Sequence, residues 1–166
     1  AVLDNDVVRD IYDYCLKAGC GMVTYDGDRV ITGTDIDGYM TFEASINHME
    51  IMRIDNFREY IDFPLNKCLL TADPDKAEKI EQELAEKFGD QLNIFRSEPY
   101  FVEIMPPNVH KATSLEKLLE VLDMDRKDLV ACGDGYNDLT MIEYAGVGVA
   151  MANAQDIVKE PVSYTH

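Results

Sequence analysis

Basic residues are scarce in this chain: 15 Lys and Arg stand against 32 Asp and Glu, a formal net charge of −17 at pH 7. A surface of that sign repels duplex nucleic acid and anionic membrane, so neither is expected as a partner. A phosphate ligand would need a local cationic device, either a metal or one well-placed lysine. Long apolar runs are also missing. No stretch reaches the roughly 18 consecutive apolar residues of a transmembrane helix. The opening Ala1-Val2-Leu3-Asp4-Asn5-Asp6 lacks the basic patch and apolar run of a signal peptide, and a cytoplasmic location is the expectation. Cysteine is present without a pattern. Cys15, Cys20, Cys68 and Cys132 form no CxxC pair and match no zinc spacing, which predicts free, mostly buried thiols and no disulfide framework. What is there is globular: 46% hydrophobic and 28% charged residues suffice for a packed core.

The first two thirds of the chain read as an α+β pattern. Asp4 can cap a helix running to Lys17, with Val7, Val8, Ile11, Tyr14 and Cys15 at helical spacing and Gly19 just past its end. Residues 21–25 and 29–32 read as a hairpin about Asp26-Gly27-Asp28. Residues 39–52 are predicted helical on weak periodicity, and 54–63 are left open between helix and loop. A buried strand follows at 67–71, then a helix from Asp73-Pro74 to Phe88, then strands at 92–97 and 100–105 about Glu98-Pro99.

After Pro106-Pro107 the pattern changes to strict alternation. A helix is predicted over Thr113 to Leu122, with Leu115, Leu118, Leu119 and Leu122 on its apolar face. A wholly apolar strand at 129–132, a helix at 137–145, a second apolar strand at 147–151 and a short helix at 154–159 follow. Apolar strands alternating with helices predict a parallel sheet covered on both faces. Two strands are too few for such a sheet, so this half reads as a piece of a larger domain, with 162–166 as the entry to another core strand.

The segment with chemistry in it is Cys132-Gly133-Asp134-Gly135-Tyr136-Asn137-Asp138, between an apolar strand and a helix. Open α/β sheets bind ligands at the carboxyl ends of their strands. Asp134 and Asp138 are spaced so that both carboxylates can face one point, and hard oxygen donors of that kind suit Mg2+. Asn137 adds a neutral donor beside the helix N-terminus. The same residues also suit a plain acid-capped turn, and spacing alone leaves both readings open.

Gly133-Asp134-Gly135-x-Asn137-Asp138-Leu139-x-Met141 resembles the fourth motif of haloacid dehalogenase phosphatases. The continuation from Ala145 to Ala154 resembles that of the Cof-type branch, with Ala152 where that branch usually has Gly. Upstream, the strand from Tyr100 to Pro106 and Lys111, 22 residues before Gly133, are similar to the strand and lysine that precede the branch's core; Ala112 stands where Gly is frequent. The half before Pro106 is similar to the family's large mobile cap. The resemblance therefore implies an α/β protein: an α+β cap of the C2 type over residues 1–105 and part of a doubly wound, Rossmann-like core over 106–166.

It further implies a Mg2+-dependent phosphatase acting on small phosphorylated metabolites, sugar phosphates above all. Asp134 would bind the metal, with Asp138 supporting the metal or its waters. Lys111 would neutralise the phosphoryl group, and Asn137 would help position the phosphate or the loop. A lysine at a helix start is otherwise unfavourably placed, which favours a role for Lys111. The family's nucleophile is an aspartate in an Asp-x-Asp pair ahead of the cap, and that segment is expected to be missing here, so that these residues alone would be inactive. Asp35-Ile36-Asp37-Gly38 imitates the pair but lacks the apolar strand before it and reads as a solvated turn. His48, His110 and His166 show no partner spacing. The alternative is a non-catalytic binding or regulatory module descended from such a phosphatase.

Overall fold

The computed structural model describes residues 1–160 and Tyr164–Thr165 and divides the chain into two compact units, Ala1–Pro107 and Asn108–His166. The first unit opens with α1 (Asn5–Ala18), capped by Asp4, whose carboxylate accepts from the N–H of Asp6 and Val7. Gly19 closes it at φ 66°, a left-handed conformation that a side chain would disfavour. Then come β1 (Gly21–Asp26), β2 (Arg29–Thr32), α2 (Gly38–Ile46), β3 (Glu50–Arg53), α3 (Phe57–Tyr60), β4 (Cys68–Thr71), α4 (Pro74–Phe88), β5 (Asn93–Glu98) and β6 (Phe101–Met105).

The strands form one sheet in the order β3-β2-β1-β4-β6-β5, antiparallel except for the β2–β3 pair. Alternate residues along each strand face opposite sides. Met22, Ile31, Leu70, Val102 and Ile104 join Ile11 and Cys15 of α1 and Ile80 and Leu84 of α4 in the main core. Their neighbours Val23, Val30, Leu69 and Phe101 pack with Met40 and Ala44 of α2 on the other side.

The helix expected over 39–52 is half that. Asn47 ends α2, His48 takes φ 54°, and the next residues pair with β2 as the edge strand β3. An open edge of β2 offers Glu50–Arg53 a ladder of backbone hydrogen bonds, and tertiary pairing overrides a weak local preference. The segment left open at 54–63 holds only the single turn α3, anchored by buried Phe57.

The second unit contains α5 (Lys111–Leu122), a 3-10 turn at Arg126–Asp128, β7 (Val130–Gly133), a 3-10 turn at Tyr136–Asp138, α6 (Leu139–Tyr144), β8 (Val147–Ala150), α7 (Asp156–Lys159) and β9 (Tyr164–Thr165). The strands are parallel in the order β7-β8-β9. Of the strand entry expected over 162–166, β9 pairs with β8, while 162, 163 and 166 lie outside the described residues. Ile142 of α6 packs with Ala150, Ala154 and Val158 in a separate small core.

Two expectations for this unit need correction. β7 is not buried on both faces: Ala131 is buried, whereas Val130 is 61% exposed and Cys132 is exposed. Helix α6 packs on one face, and among the described residues nothing covers the other. The predicted apolar face of α5 is also only partly used. Leu119 is buried, but Leu118 and Leu122 are exposed. No helix among the described residues is long and apolar enough to cross a membrane.

Candidate functional site

The loop after β7 is built around Asp138. Its Oδ2 accepts from the N–H of Asp134 at 3.0 Å and of Gly135 at 3.2 Å, and its Oδ1 receives the ammonium of Lys111. Gly133 is required beneath it, because a Cβ there would fall inside contact distance of the Asp138 Cβ and carboxyl carbon. The glycine lets strand and turn close on each other. Burial alone would push the Asp138 carboxyl up. The Lys111 hydrogen bond, the two N–H groups and the Lys111 charge outweigh it and hold the carboxyl below the usual aspartate range.

Lys111 stands at the first position of α5, where the helix dipole disfavours a cation. The carboxylate of Asp138, only 9% exposed, offsets that, while the Lys111 side chain remains 47% exposed and within reach of a ligand. The start of α5 is fixed by His110, which the sequence left without a role. Its Nδ1 accepts from the N–H of Thr113 at 3.4 Å, and its own N–H donates to Thr113 Oγ1 at 3.1 Å. This reciprocal cap starts the helix two residues earlier than Thr113.

Asp134 is exposed, in contrast to Asp138. Its Oδ2 accepts from Asn153 Nδ2 at 2.8 Å. The segment carrying Asn153 is tied to the same loop through the backbone: the N–H of Met151 donates to the Gly133 carbonyl at 3.0 Å, and that of Gln155 to the Asp134 carbonyl at 3.1 Å. Asn153 was not among the sequence-level candidates. The signal that could have found it is positional. β7 and β8 are parallel with Gly133 opposite Ala150, so the residues just after Ala150 emerge at the same sheet end as Asp134. Asn137 is exposed on the Tyr136–Asp138 turn.

The structure thus brings Lys111, Asp134, Asn137 and Asp138 to one end of the three-stranded sheet. The imitation pair serves otherwise. Asp37 caps α2, accepting from the N–H of Met40 at 2.8 Å and from Thr71 Oγ1 at 2.5 Å. Asp35 is 96% exposed and meets Arg53 at 3.6 Å. No group of three His, Cys, Asp or Glu among the described residues is arranged to hold a metal without help.

Comparison with known proteins places the geometry in a family. A crystal structure of a haloacid dehalogenase-like hydrolase from Bacteroides thetaiotaomicron superposes with a TM-score of 0.91 at 43% identity, covering 99% of this chain and 62% of that one. The Bacillus subtilis protein YxeH is 28% identical over 98% of this chain and 60% of its own length. The 5-amino-6-(5-phospho-D-ribitylamino)uracil phosphatase YcsE of the same organism is 40% identical over 92 residues, 55% of this chain and 36% of its own length. The chain therefore spans about 60% or less of the length of these relatives. A family model described as haloacid dehalogenase-like hydrolase matches residues 1–166, and the chain belongs to that family.

Proposed function

We propose that residues 1–166 belong to a phosphatase that hydrolyses phosphomonoesters of small metabolites, sugar phosphates above all, with Mg2+ as cofactor and through an aspartate that these residues do not supply. The observation that carries this reading is one exposed carboxylate, Asp134, and one anchored ammonium, Lys111, both tied to Asp138 at the carboxyl ends of parallel strands. The donor set fits the metal. Mg2+ is typically bound by one or two carboxylates and fills the rest of its shell with water and phosphate oxygens. Asp134 is the ligand in this reading. Asp138, whose oxygens are engaged by Lys111 and two backbone N–H groups, supports the loop from behind. When bound, the cation would neutralise charge on the phosphoryl oxygens.

Lys111 supplies a second positive charge to the same oxygens, and Asp138 keeps its Nζ from wandering. Asn137 offers a neutral donor on the adjoining turn. The attacking aspartate that the resemblance implies is not assigned to Asp35 or Asp37, because Asp37 is committed to capping α2 and to Thr71. Residues 1–105 are assigned the role of substrate-selecting cap. A sugar-derived substrate is favoured because the relative YcsE is named for a substrate with a phosphorylated ribityl group.

The test is hydrolysis of p-nitrophenyl phosphate and a panel of sugar phosphates by the intact protein, with and without EDTA. Activity should require Mg2+, prefer the sugar phosphates, and fall by about 10²–10³ in kcat for Lys111→Ala. Turnover indifferent to EDTA and to Asp134→Ala would sink the reading.

A further inference from the structure

We propose that Asn153 is a positioning residue for the metal-binding carboxylate: its amide N–H holds Asp134 Oδ2 so that Oδ1 stays presented to a divalent cation. This rests on the metal assignment just made and deepens it. A free aspartate rotates about its terminal torsion and offers either oxygen in many directions. Among the described residues only Asn153 bonds the Asp134 carboxylate, at 2.8 Å on Oδ2.

An isolated hydrogen bond between two exposed side chains would mean little. This one is set by backbone on both flanks. Met151 and Gln155, on either side of Asn153, donate their N–H groups to the carbonyls of Gly133 and Asp134. The two loops are therefore pinned together along their length, and the amide is delivered to the carboxylate by the main chain. On the other side Asp138 grips the N–H of Asp134 and of Gly135. Asp134 thus has its N–H, its carbonyl and one carboxylate oxygen all committed.

The residue type matters as well. A lysine at this place would cancel the charge of Asp134 and repel a cation. A second carboxylate would repel Asp134 when no metal is bound. An amide orients the carboxylate and leaves its negative charge intact, as the outer partners of metal ligands do.

The experiment measures divalent binding on the intact protein, with Mn2+ followed by electron paramagnetic resonance and Mg2+ by competition. Asn153→Ala should raise the Mg2+ Kd about 10- to 100-fold, and the lost turnover of p-nitrophenyl phosphate should return at saturating Mg2+. Gln155→Ala, which keeps the backbone tie to Asp134, should leave the Kd unchanged. An unchanged Kd in Asn153→Ala overturns the proposal. So does a loss of turnover that high Mg2+ cannot restore, accompanied by a lower melting temperature of the metal-free protein, since that is a scaffolding role only. Asp134→Ala separates the levels: if it too leaves metal binding intact, the metal assignment falls and this proposal falls with it.

Discussion

Asp138 is the side chain on which the site turns. One carboxylate closes the Gly133–Asp138 loop and anchors Lys111, so its loss reaches further than one contact. Asp138→Asn keeps the shape but removes the charge, leaving the ammonium without its counter-ion. Hydrogen bonds to charged groups contribute about 1.5–3 kcal/mol each, and we expect a loss of about 2–3 kcal/mol by urea unfolding at pH 7. The sign of the pH dependence follows from the lowered folded-state pKa. The unfolded value is about 3.9. The stabilisation is complete above about pH 5 and is lost as pH falls through the folded-state pKa. Wild-type protein should lose stability between pH 5 and pH 3 more steeply than Asp138→Asn; parallel slopes would count against the assignment.

At the scale of elements, the uncovered face of β7 makes a chemical prediction. Cys132 is exposed there, whereas Cys15, Cys20 and Cys68 are buried, and burial pushes the Cys68 thiol up to about 12. Thiolate reacts and thiol does not. In native buffer an aromatic disulfide reagent should modify Cys132 first, leaving Cys15 and Cys68 until denaturant is added; early labelling at Cys68 would contradict the packing. The same face marks what the sequence could say. Where the local signal was strong, as in the capped and periodic α1, in α4 with Pro74 at its start and in the β1–β2 hairpin, local chemistry decided the outcome and was legible. Burial was not. Val130 and Cys132 are apolar and read as interior, but which faces of a strand are covered depends on what packs there. β3 was hidden for a related reason: Glu50–Arg53 becomes a strand only because β2 presents an edge. In the site, the gathering of Lys111, Asp134, Asn137 and Asp138 at one sheet end could be anticipated because their spacing along the chain matches a known motif, while their roles are part of the proposal. Asn153 depends on two parallel strands lying in register and shows itself only once they are paired.

The whole molecule divides its stability unequally. The first unit has an extended core between the sheet and helices α1 and α4, with a second on the opposite face. Among the described residues, the second unit has only the small cluster of Ile142, Ala150, Ala154 and Val158. Regions with few buried apolar contacts open at lower free energy. Amides of β7 and β8 should therefore exchange with deuterium well before those of β1 and β4 in native-state hydrogen exchange; equal protection would show that the small core is reinforced in solution.

The order β3-β2-β1-β4-β6-β5 has a consequence for how the chain is made. β4 lies between β1 and β6, yet it follows β1 by some forty residues and precedes β6 by some thirty. A ribosome adding about 5–20 residues per second needs about 2–8 s to go from the end of β1 to the start of β4. Throughout that interval the nascent hairpin carries an unpaired inner edge at Gly21–Val23. The sheet completes only after Met105 has left the exit tunnel. The first unit therefore cannot complete its sheet by stepwise addition behind the polymerising end, and its central strand pairs stay open until the last strands emerge.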